Sequence, residues 1–282
     1  MNELHQRYAQ EISALGGIKS PALRRALAMV RREDFLPPGP WLIESLEGSY
    51  YPSDDDAVDH ILHAVGVAID ADRLLNNANP AKICVQIERA DIRPGETVVH
   101  VGAGFGYFSA LMAELVGPSG TVVAAEIDPH LRKQAGVNLA AWPQVRMTGD
   151  ALACALPPCD LLFASDGLAD LPLDWILALK SGGRMIVPMT DGGNHGVVFH
   201  FYKLSPSGPL SATAASFTRH YPCAGTRDPA ALSAMSKAFS RPFAQVRSLR
   251  LDKHPASPEC WMHGAGWCLS YRAPELSAQS EI

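Results

Sequence analysis

Apolar residues at the start of the chain recur with helical spacing. Leu4, Tyr8 and Ile12 follow one another at intervals of four, which predicts a helix ended by a Gly-Gly pair. A second helix is predicted to begin at Ser20, because serine is a good N-cap and a proline follows it at the first helical position. The Pro-Pro-Gly-Pro run at 37–40 breaks the helical pattern.

The next part of the chain has a weaker pattern. Residues 41–56 carry no regular period and predict irregular structure. Residues 57–92 predict a further helical region. A polar, turn-forming stretch at 75–80, Leu-Asn-Asn-Ala-Asn-Pro, interrupts that region.

From residue 97 onwards, short apolar runs alternate with helical stretches. Strands are predicted at 97–101, 121–126, 145–148, 160–164, 184–189 and 197–204, and helices at 107–116, 129–141 and 173–179. This alternation is typical of parallel crossover units, in which helices cover both faces of a sheet. After about residue 205 prolines blur the order, although a helix near 229–240 and a strand near 263–271 are still predicted.

Composition and charge narrow the classes of protein. The 282 residues are 47% hydrophobic and 19% charged, a normal globular balance. The net charge of −5 argues against a surface built for nucleic acid. The polar N-terminus has no signal core, and no run of 18 apolar residues is present. We therefore expect a cytoplasmic protein that does not partner with a membrane. The six cysteines form no C-x-x-C pair, so we expect reduced thiols and no metal site.

A glycine-rich loop follows the first strand of the alternating region and opens a helix. Residues 101–107 read Val-Gly-Ala-Gly-Phe-Gly-Tyr, a G-x-G-x-G pattern that lets the backbone approach a ligand closely. Dinucleotide sites prefer G-x-G-x-x-G, and Tyr107 stands where the third glycine would be. A nicotinamide dehydrogenase is therefore disfavoured, and no P-loop motif is present.

Two further groups suit a nucleoside ligand. Glu126 lies twenty residues after Gly106 at the end of the second strand, where a carboxylate can accept hydrogen bonds from a ribose diol. Gly149, Asp150 and Ala151 follow the third strand, where an adenine ring would lie in this topology. Because no phosphate-gripping lysine is present, the set suits a nucleoside without phosphates, such as S-adenosylmethionine.

These stretches resemble the class I methyltransferases that depend on S-adenosylmethionine and, more narrowly, the protein-L-isoaspartate O-methyltransferase family. The resemblance covers about residues 20–205 and rests on 32–37, 100–120, 124–128, 149–150 and 179–188. It implies an α/β, Rossmann-like fold with a mixed, mostly parallel seven-stranded sheet and helices on both faces. It also implies S-adenosyl-L-methionine as the cofactor, with these binding residues: His100, Gly102, Ala103, Gly104, Gly106, Glu126, Ile127, Gly149, Asp150 and Ala151.

The chain departs from the family pattern at two places. His100 stands where the family carries an acid that helps to orient the cofactor. Ala78 stands where the family carries a serine near the transferred methyl group. The resemblance therefore implies a retained cofactor fold with altered substrate chemistry, or a rearranged loop that still serves isoaspartate.

Methyl transfer from a sulfonium is an in-line displacement in which positioning does most of the work. A carboxylate acceptor needs no base, whereas a hydroxyl or amine acceptor does. Asp166 follows the fourth strand and is the candidate base; the alternative is a turn or cap acid. Asn76 and Asn77 are candidates for hydrogen bonding the acceptor, and they would equally suit a turn.

Several functions remain open at this point. The leading one is transfer of a methyl group to a carboxylate on an isoaspartyl peptide or related acid. The alternatives are a small-metabolite O- or N-methyltransferase and a non-catalytic S-adenosylmethionine-binding module. We expect a helical lead-in at 1–56, a cofactor-binding domain at 57–205 and an extension at 206–282. The extension would complete the sheet, cap the substrate site or form a homodimer contact.

Overall fold

The computed structural model describes residues 3–45, 47–73, 75–206 and 208–274. The helices are α1 (Glu3–Gly16), α2 (Pro21–Met29), α3 (Pro80–Ala90), α4 (Tyr107–Val116), α5 (Pro129–Asn138), α6 (Leu173–Ala178) and α7 (Pro229–Phe239). The strands are β1 (Leu42–Glu44), β2 (Tyr50–Pro52), β3 (Gly66–Asp70), β4 (Leu75–Asn77), β5 (Thr97–Val101), β6 (Thr121–Ala125), β7 (Val145–Thr148), β8 (Cys159–Ala164), β9 (Leu179–Thr190), β10 (His195–Lys203), β11 (Leu210–Arg219), β12 (Ser248–Arg250), β13 (Cys260–Gly264) and β14 (Trp267–Ser270). Short 3-10 turns lie at Arg32–Phe35, Val58–Ile61 and Phe243–Gln245.

The chain divides into two compact units. The first comprises residues 1–97 and 103–150, and the second comprises 98–102 and 151–282. The three-part division expected from the sequence stays a prediction. Residues 275–282 of its last segment lie outside the described part of the chain.

The predicted helix starts of the first unit are confirmed. The Ser20 side chain accepts the backbone N–H of Leu23 at the start of α2. Asp128 caps α5 by accepting from His130 and Leu131, with a proline at the first helical position.

The prediction for residues 41–79 is wrong. The described residues of this stretch contain a four-stranded antiparallel sheet with the order β2-β1-β3-β4, and of the helical region predicted at 57–92, α3 and the 3-10 turn at Val58–Ile61 are helical. Trp41 and Ile43 are buried and flank the half-buried Leu42, which is the two-residue period of a strand. The apolar run that forms β3 is too short for its period to distinguish a strand from a helix.

Arg32 joins the segment before β3 to β4 through hydrogen bonds. Its fully buried guanidinium donates to the backbone carbonyls of Ile61 (2.7 Å), His63 (3.1 Å) and Val65 (2.7 Å). It also donates to the side-chain oxygen of Asn77 (3.1 Å). Buried carbonyls need donors, so one arginine satisfies the irregular segment that leads into β3 and ties that segment to β4.

The second unit contains most of the large sheet, in the order β13-β14-β12-β11-β10-β9-β8-β5. Strands β5, β8 and β9 are parallel, as the crossover pattern predicts. The pairings from β9 through β14 are antiparallel. In the first unit, β6 and β7 are also parallel. The mostly parallel character therefore holds for the core alone.

The expected count of seven strands is wrong, because this series within the second unit already exceeds it. The sequence did not predict β11 or β12, and the strand predicted at 263–271 is the hairpin of β13 and β14. Strand β11 is rich in serine, alanine and threonine and is largely half-buried or exposed, so it lacks a strong apolar signal. Among the described residues, no helix is long and apolar enough to cross a membrane.

Candidate functional site

The glycine loop enters the first unit at Ala103. The backbone N–H of Ala103 donates to the carbonyl of Ala125 (3.1 Å), and that of Gly106 donates to Ala103 (2.9 Å). Gly104 and Gly106 adopt φ values of 55° and 97°, a region that side chains make costly. The loop therefore presents bare backbone at the start of α4, as sequence reasoning predicted.

Glu126 is bound to this loop from the end of β6. Its carboxylate accepts the N–H of Gly104 at Oε2 (2.8 Å) and the N–H of Asp128 at Oε1 (3.0 Å). Burial raises the pKa of Glu126, and these two hydrogen bonds oppose that shift. Each carboxylate oxygen can accept a second hydrogen bond, so the group can bind a ribose diol while it holds the loop.

The other residues predicted to touch the nucleoside are placed as follows. Ile127 is 49% exposed, although it follows the buried Glu126 directly. In the first unit, a Cβ atom at Gly149 would lie 3.2 Å from the Arg132 guanidinium, so the arginine side chain lies close to this position. Ala151, in the second unit, is buried, and its carbonyl accepts the indole N–H of Trp175 (3.1 Å).

Tyr107 explains the absence of a third glycine. Its ring is fully buried, and its hydroxyl lies 2.8 Å from the hydroxyl of Tyr8. Phe35 packs edge-on against the same ring at 5.8 Å. In this chain the start of α4 thus packs against α1 and the 3-10 turn that carries Phe35.

His100 lies in the second unit and is fully buried in β5. Its Nε2 atom lies 2.8 Å from the Ser165 hydroxyl, and Phe163 packs edge-on against the ring. Burial lowers the pKa of His100 to about 4, so the imidazole is neutral at physiological pH. A neutral ring cannot replace the charge of the acid found at this position in the family pattern.

A carboxylate does lie near this position, but from another strand. The side-chain oxygens of Asp166 lie 2.5 and 2.8 Å from the point where a Cβ atom on Gly102 would sit. Gly102 has a φ of 75°, and the absence of a side chain is what allows Asp166 to approach the loop. The candidate base from the sequence is thus packed against the first glycine.

Asn76 and Asn77 lie on β4 in the first unit and not in the predicted turn. The Asn76 amide donates to the hydroxyl of Tyr50 (2.6 Å) and to Glu44 (3.3 Å). Asn77 is buried and accepts from Arg32, which ties its side chain to the sheet. Their role toward an acceptor stays a prediction, and Asn76 is the less buried of the two.

The structure adds polar residues that sequence reasoning missed. Glu44 joins Asn76 and Tyr50 because β1 and β3 pair, and the unpredicted strands hid that neighbourhood. In the second unit, Nδ1 of His220 donates to the Ser165 carbonyl (2.6 Å). Arg227 donates to the Gly167 carbonyl (3.2 Å), so the extension reaches the segment that carries Asp166.

Comparisons with known proteins show the family of this chain. A family model described as protein-L-isoaspartate(D-aspartate) O-methyltransferase (PCMT) matches residues 3–222. A protein-L-isoaspartate O-methyltransferase of Methanopyrus kandleri is 31% identical over 192 residues, covering 66% of this chain and 76% of that protein. The protein of the same name from Ignicoccus hospitalis is 29% identical over 213 residues, covering 74% and 92%.

Two solved structures share the fold. One, a protein-L-isoaspartate O-methyltransferase, has a TM-score of 0.67 at 23% identity and covers 79% of this chain and 66% of that chain. The other is a β-aspartate methyltransferase of Plasmodium falciparum in complex with S-adenosyl-L-homocysteine. It has a TM-score of 0.60 at 13% identity and covers 77% and 97%. The expected Rossmann-like methyltransferase fold is confirmed.

Proposed function

We propose a function from one premise: the chain belongs to the protein-L-isoaspartate(D-aspartate) O-methyltransferase family, whose model matches residues 3–222. It is an S-adenosylmethionine-dependent methyltransferase that transfers a methyl group to a carboxylate on a peptide. The observation that carries the proposal is the Glu126 carboxylate, buried and bound to the backbone of the glycine loop.

The residues of the first unit fit the nucleoside part of S-adenosylmethionine. Gly104 and Gly106 offer backbone without side chains, and Glu126 retains acceptor capacity for two ribose hydroxyls. We place Asp150 and Ile127 beside the adenine ring. When bound, the cofactor supplies a methyl group on a positively charged sulfur.

In this proposal Asp166 binds the cofactor and does not act as a base. Its carboxylate lies against Gly102, where it can accept a hydrogen bond from the ammonium group of the cofactor's methionine part. A carboxylate acceptor is already a nucleophilic anion and needs no base, so the main task of the chain is positioning. Asp166 thereby supplies the charge that the neutral His100 lacks.

The acceptor region is altered relative to the family pattern. Ala78 offers no hydroxyl, and its carbonyl accepts from Arg32. Asn76, Tyr50 and Glu44 form a hydrogen-bonded group of polar side chains on this sheet. We therefore expect slow turnover of an isoaspartyl peptide and a preference for another peptide carboxylate.

The test uses tritiated methyl groups. Purified protein is incubated with labelled S-adenosylmethionine and either an isoaspartyl peptide or cell extract, and the product is exposed to mild base. We expect a base-labile ester, weak labelling of the isoaspartyl peptide, and stronger labelling of that peptide by Ala78→Ser. A base-stable product would contradict the carboxylate acceptor and favour the runner-up, a hydroxyl or amine acceptor with Asp166 as base.

A further inference from the structure

Four potential metal ligands meet in the C-terminal part of the second unit. His254, Cys260, His263 and Cys268 each contribute one ligand atom, and these atoms all lie within 4.8 Å of one another. Both cysteines are buried, and both histidines are half-buried. None of the four residues takes part in the proposed methyl transfer.

The β13–β14 hairpin creates this cluster. His263 and Cys268 are cross-strand partners, so their side chains project from the same face of the sheet. A register shift between Cys260 and Met262 re-aims the strand at the point where Cys260 joins the cluster. His254 enters from the loop between β12 and β13.

The sulfur–nitrogen separation between Cys260 and His254 matches that expected around one tetrahedral ion, and the one between Cys260 and His263 is shorter. The Cys260 sulfur lies 3.0 Å from Nε2 of His263 and 3.5 Å from Nε2 of His254. Sulfur at about 2.3 Å and nitrogen at about 2.0–2.1 Å from a zinc ion lie about 3.6 Å apart at the tetrahedral angle. We propose that His254, Cys260, His263 and Cys268 form a structural zinc site.

The surroundings orient one of the histidines for this task. The Nδ1 atom of His254 donates to the carbonyl of Asp252 (2.9 Å) and lies 3.2 Å from its carboxylate. Arg250 in turn donates to that carboxylate. A proton fixed on Nδ1 leaves the Nε2 lone pair directed at the cluster, which is the usual arrangement for histidine ligands of zinc.

Charge and ligand type favour zinc over harder cations. Two thiolates and two neutral imidazoles form the S₂N₂ donor set that zinc takes in a tetrahedral geometry. Binding releases the protons of both thiols, and the two negative charges balance the ion. Four protein ligands leave no open coordination position for water or substrate. The ion would therefore cross-link the hairpin to the loop before it.

The sequence hid this site. The ligands are separated by five, two and four residues, and this order does not contain the C-x-x-C pair that marks common zinc sites. The fold brings them together through the hairpin register, which the sequence pattern did not resolve into two strands. The proposal departs from the sequence-based expectation of no metal site and gives Cys260 and Cys268 a specific role.

The test is metal analysis of the full chain, purified under reducing conditions without chelators or metal-affinity resin. We expect about one zinc ion per chain. Removal of the ion with a chelator should lower the midpoint of thermal unfolding, and zinc alone should restore it. Cobalt(II) added to the chelated, reduced protein should give the visible absorption of a tetrahedral cobalt–thiolate centre.

Matched variants locate the ion. Cys260→Ser and Cys268→Ser should each lose the zinc, whereas Cys154→Ser, a thiol outside the cluster, should keep it. The cobalt spectrum of the unmodified protein decides the matter even where a variant fails to fold. Three results would overturn the proposal. The first is the absence of both zinc and a tetrahedral cobalt spectrum in the reduced protein, and the second is zinc retained by both cysteine variants. The third is a Cys260–Cys268 disulfide that resists the reductant used in purification. None of these results depends on methyltransferase activity.

Discussion

At the scale of single residues, the functional candidates differ in the contacts that fix their side chains. Glu126 has both oxygens bound to backbone N–H groups, a contact that the sequence did not predict, and its binding to a ribose stays a prediction. The place of Asp166 against Gly102 was not predictable, because it depends on the pairing of β5 with β8 and on the conformation of one glycine. The sequence offered Asp166 as a candidate base, a role that stays a prediction, and gave no sign of this contact.

Asp166→Asn tests the role assigned to that contact. The loss of a charged hydrogen bond costs about 1.5–3 kcal/mol, so we expect the dissociation constant of S-adenosylhomocysteine to rise at least about tenfold. The rate at saturating cofactor should change little. Calorimetry and steady-state kinetics measure the two quantities, and exposed Asp174→Asn is the control. An unchanged affinity with a reduced rate would return Asp166 to the role of a base.

At the scale of elements, two features organise the molecule: the glycine loop and the small sheet around Arg32. The strand before the loop and the helix after it were predicted at their observed bounds, because their apolar patterns are strong. The small sheet was missed. Its strands are short, and its stability depends on a buried arginine whose partners lie up to 46 residues away.

Gly102→Ala tests the close packing of the loop. Gly17→Ala is the matched control, because Gly17 has a φ of 61° but no atom within 4 Å of a Cβ position. Both changes incur the left-handed backbone cost of about 1–2 kcal/mol. Gly102→Ala should also push Asp166 aside and lose considerably more stability and cofactor affinity. Equal losses of unfolding free energy in the two variants would contradict the contact.

Arg32→Met tests the clamp on the small sheet. The change leaves several buried carbonyls without their donor, at about 1–3 kcal/mol each, so we expect unfolding free energy to fall by about 3 kcal/mol or more. Arg31→Met, whose side chain is 62% exposed, should cost less than about 1 kcal/mol. Urea unfolding of both variants measures the difference. Comparable losses of unfolding free energy in the two variants would show that the hydrogen bonds of Arg32 do not stabilise the small sheet.

At the scale of the whole molecule, the cofactor fold was predictable, whereas the additions to it were not. Alternating strands and helices gave the parallel core, but β11 and β12 lack a strong apolar signal and were not predicted. The cluster of His254, Cys260, His263 and Cys268 depends on the pairing of β13 with β14. The period of apolar residues predicts single strands, but it does not predict which distant strands pair.

The buried His100 predicts how the stability of the molecule depends on pH. Its pKa in the folded state, about 4, lies below its ordinary value of 6.5, so the unfolded chain binds more protons between these values. Its contribution is therefore complete above pH 6.5, and about 3 kcal/mol is lost as the pH falls to 4. His100→Gln should flatten this part of a plot of unfolding free energy against pH. An unaltered slope in His100→Gln would contradict the assignment.

The central claim is that the glycine loop and Glu126 bind the nucleoside of S-adenosylmethionine. Isothermal titration calorimetry of the purified chain with S-adenosylmethionine, S-adenosylhomocysteine and NAD tests it most directly. We expect saturable binding of the first two and none of NAD, with affinity for both ligands reduced at least about tenfold by Glu126→Gln, since a charged hydrogen bond contributes about 1.5–3 kcal/mol. Exposed Asp72→Asn should bind as the unmodified protein does. Tight binding of NAD with no binding of either sulfur ligand would contradict the account.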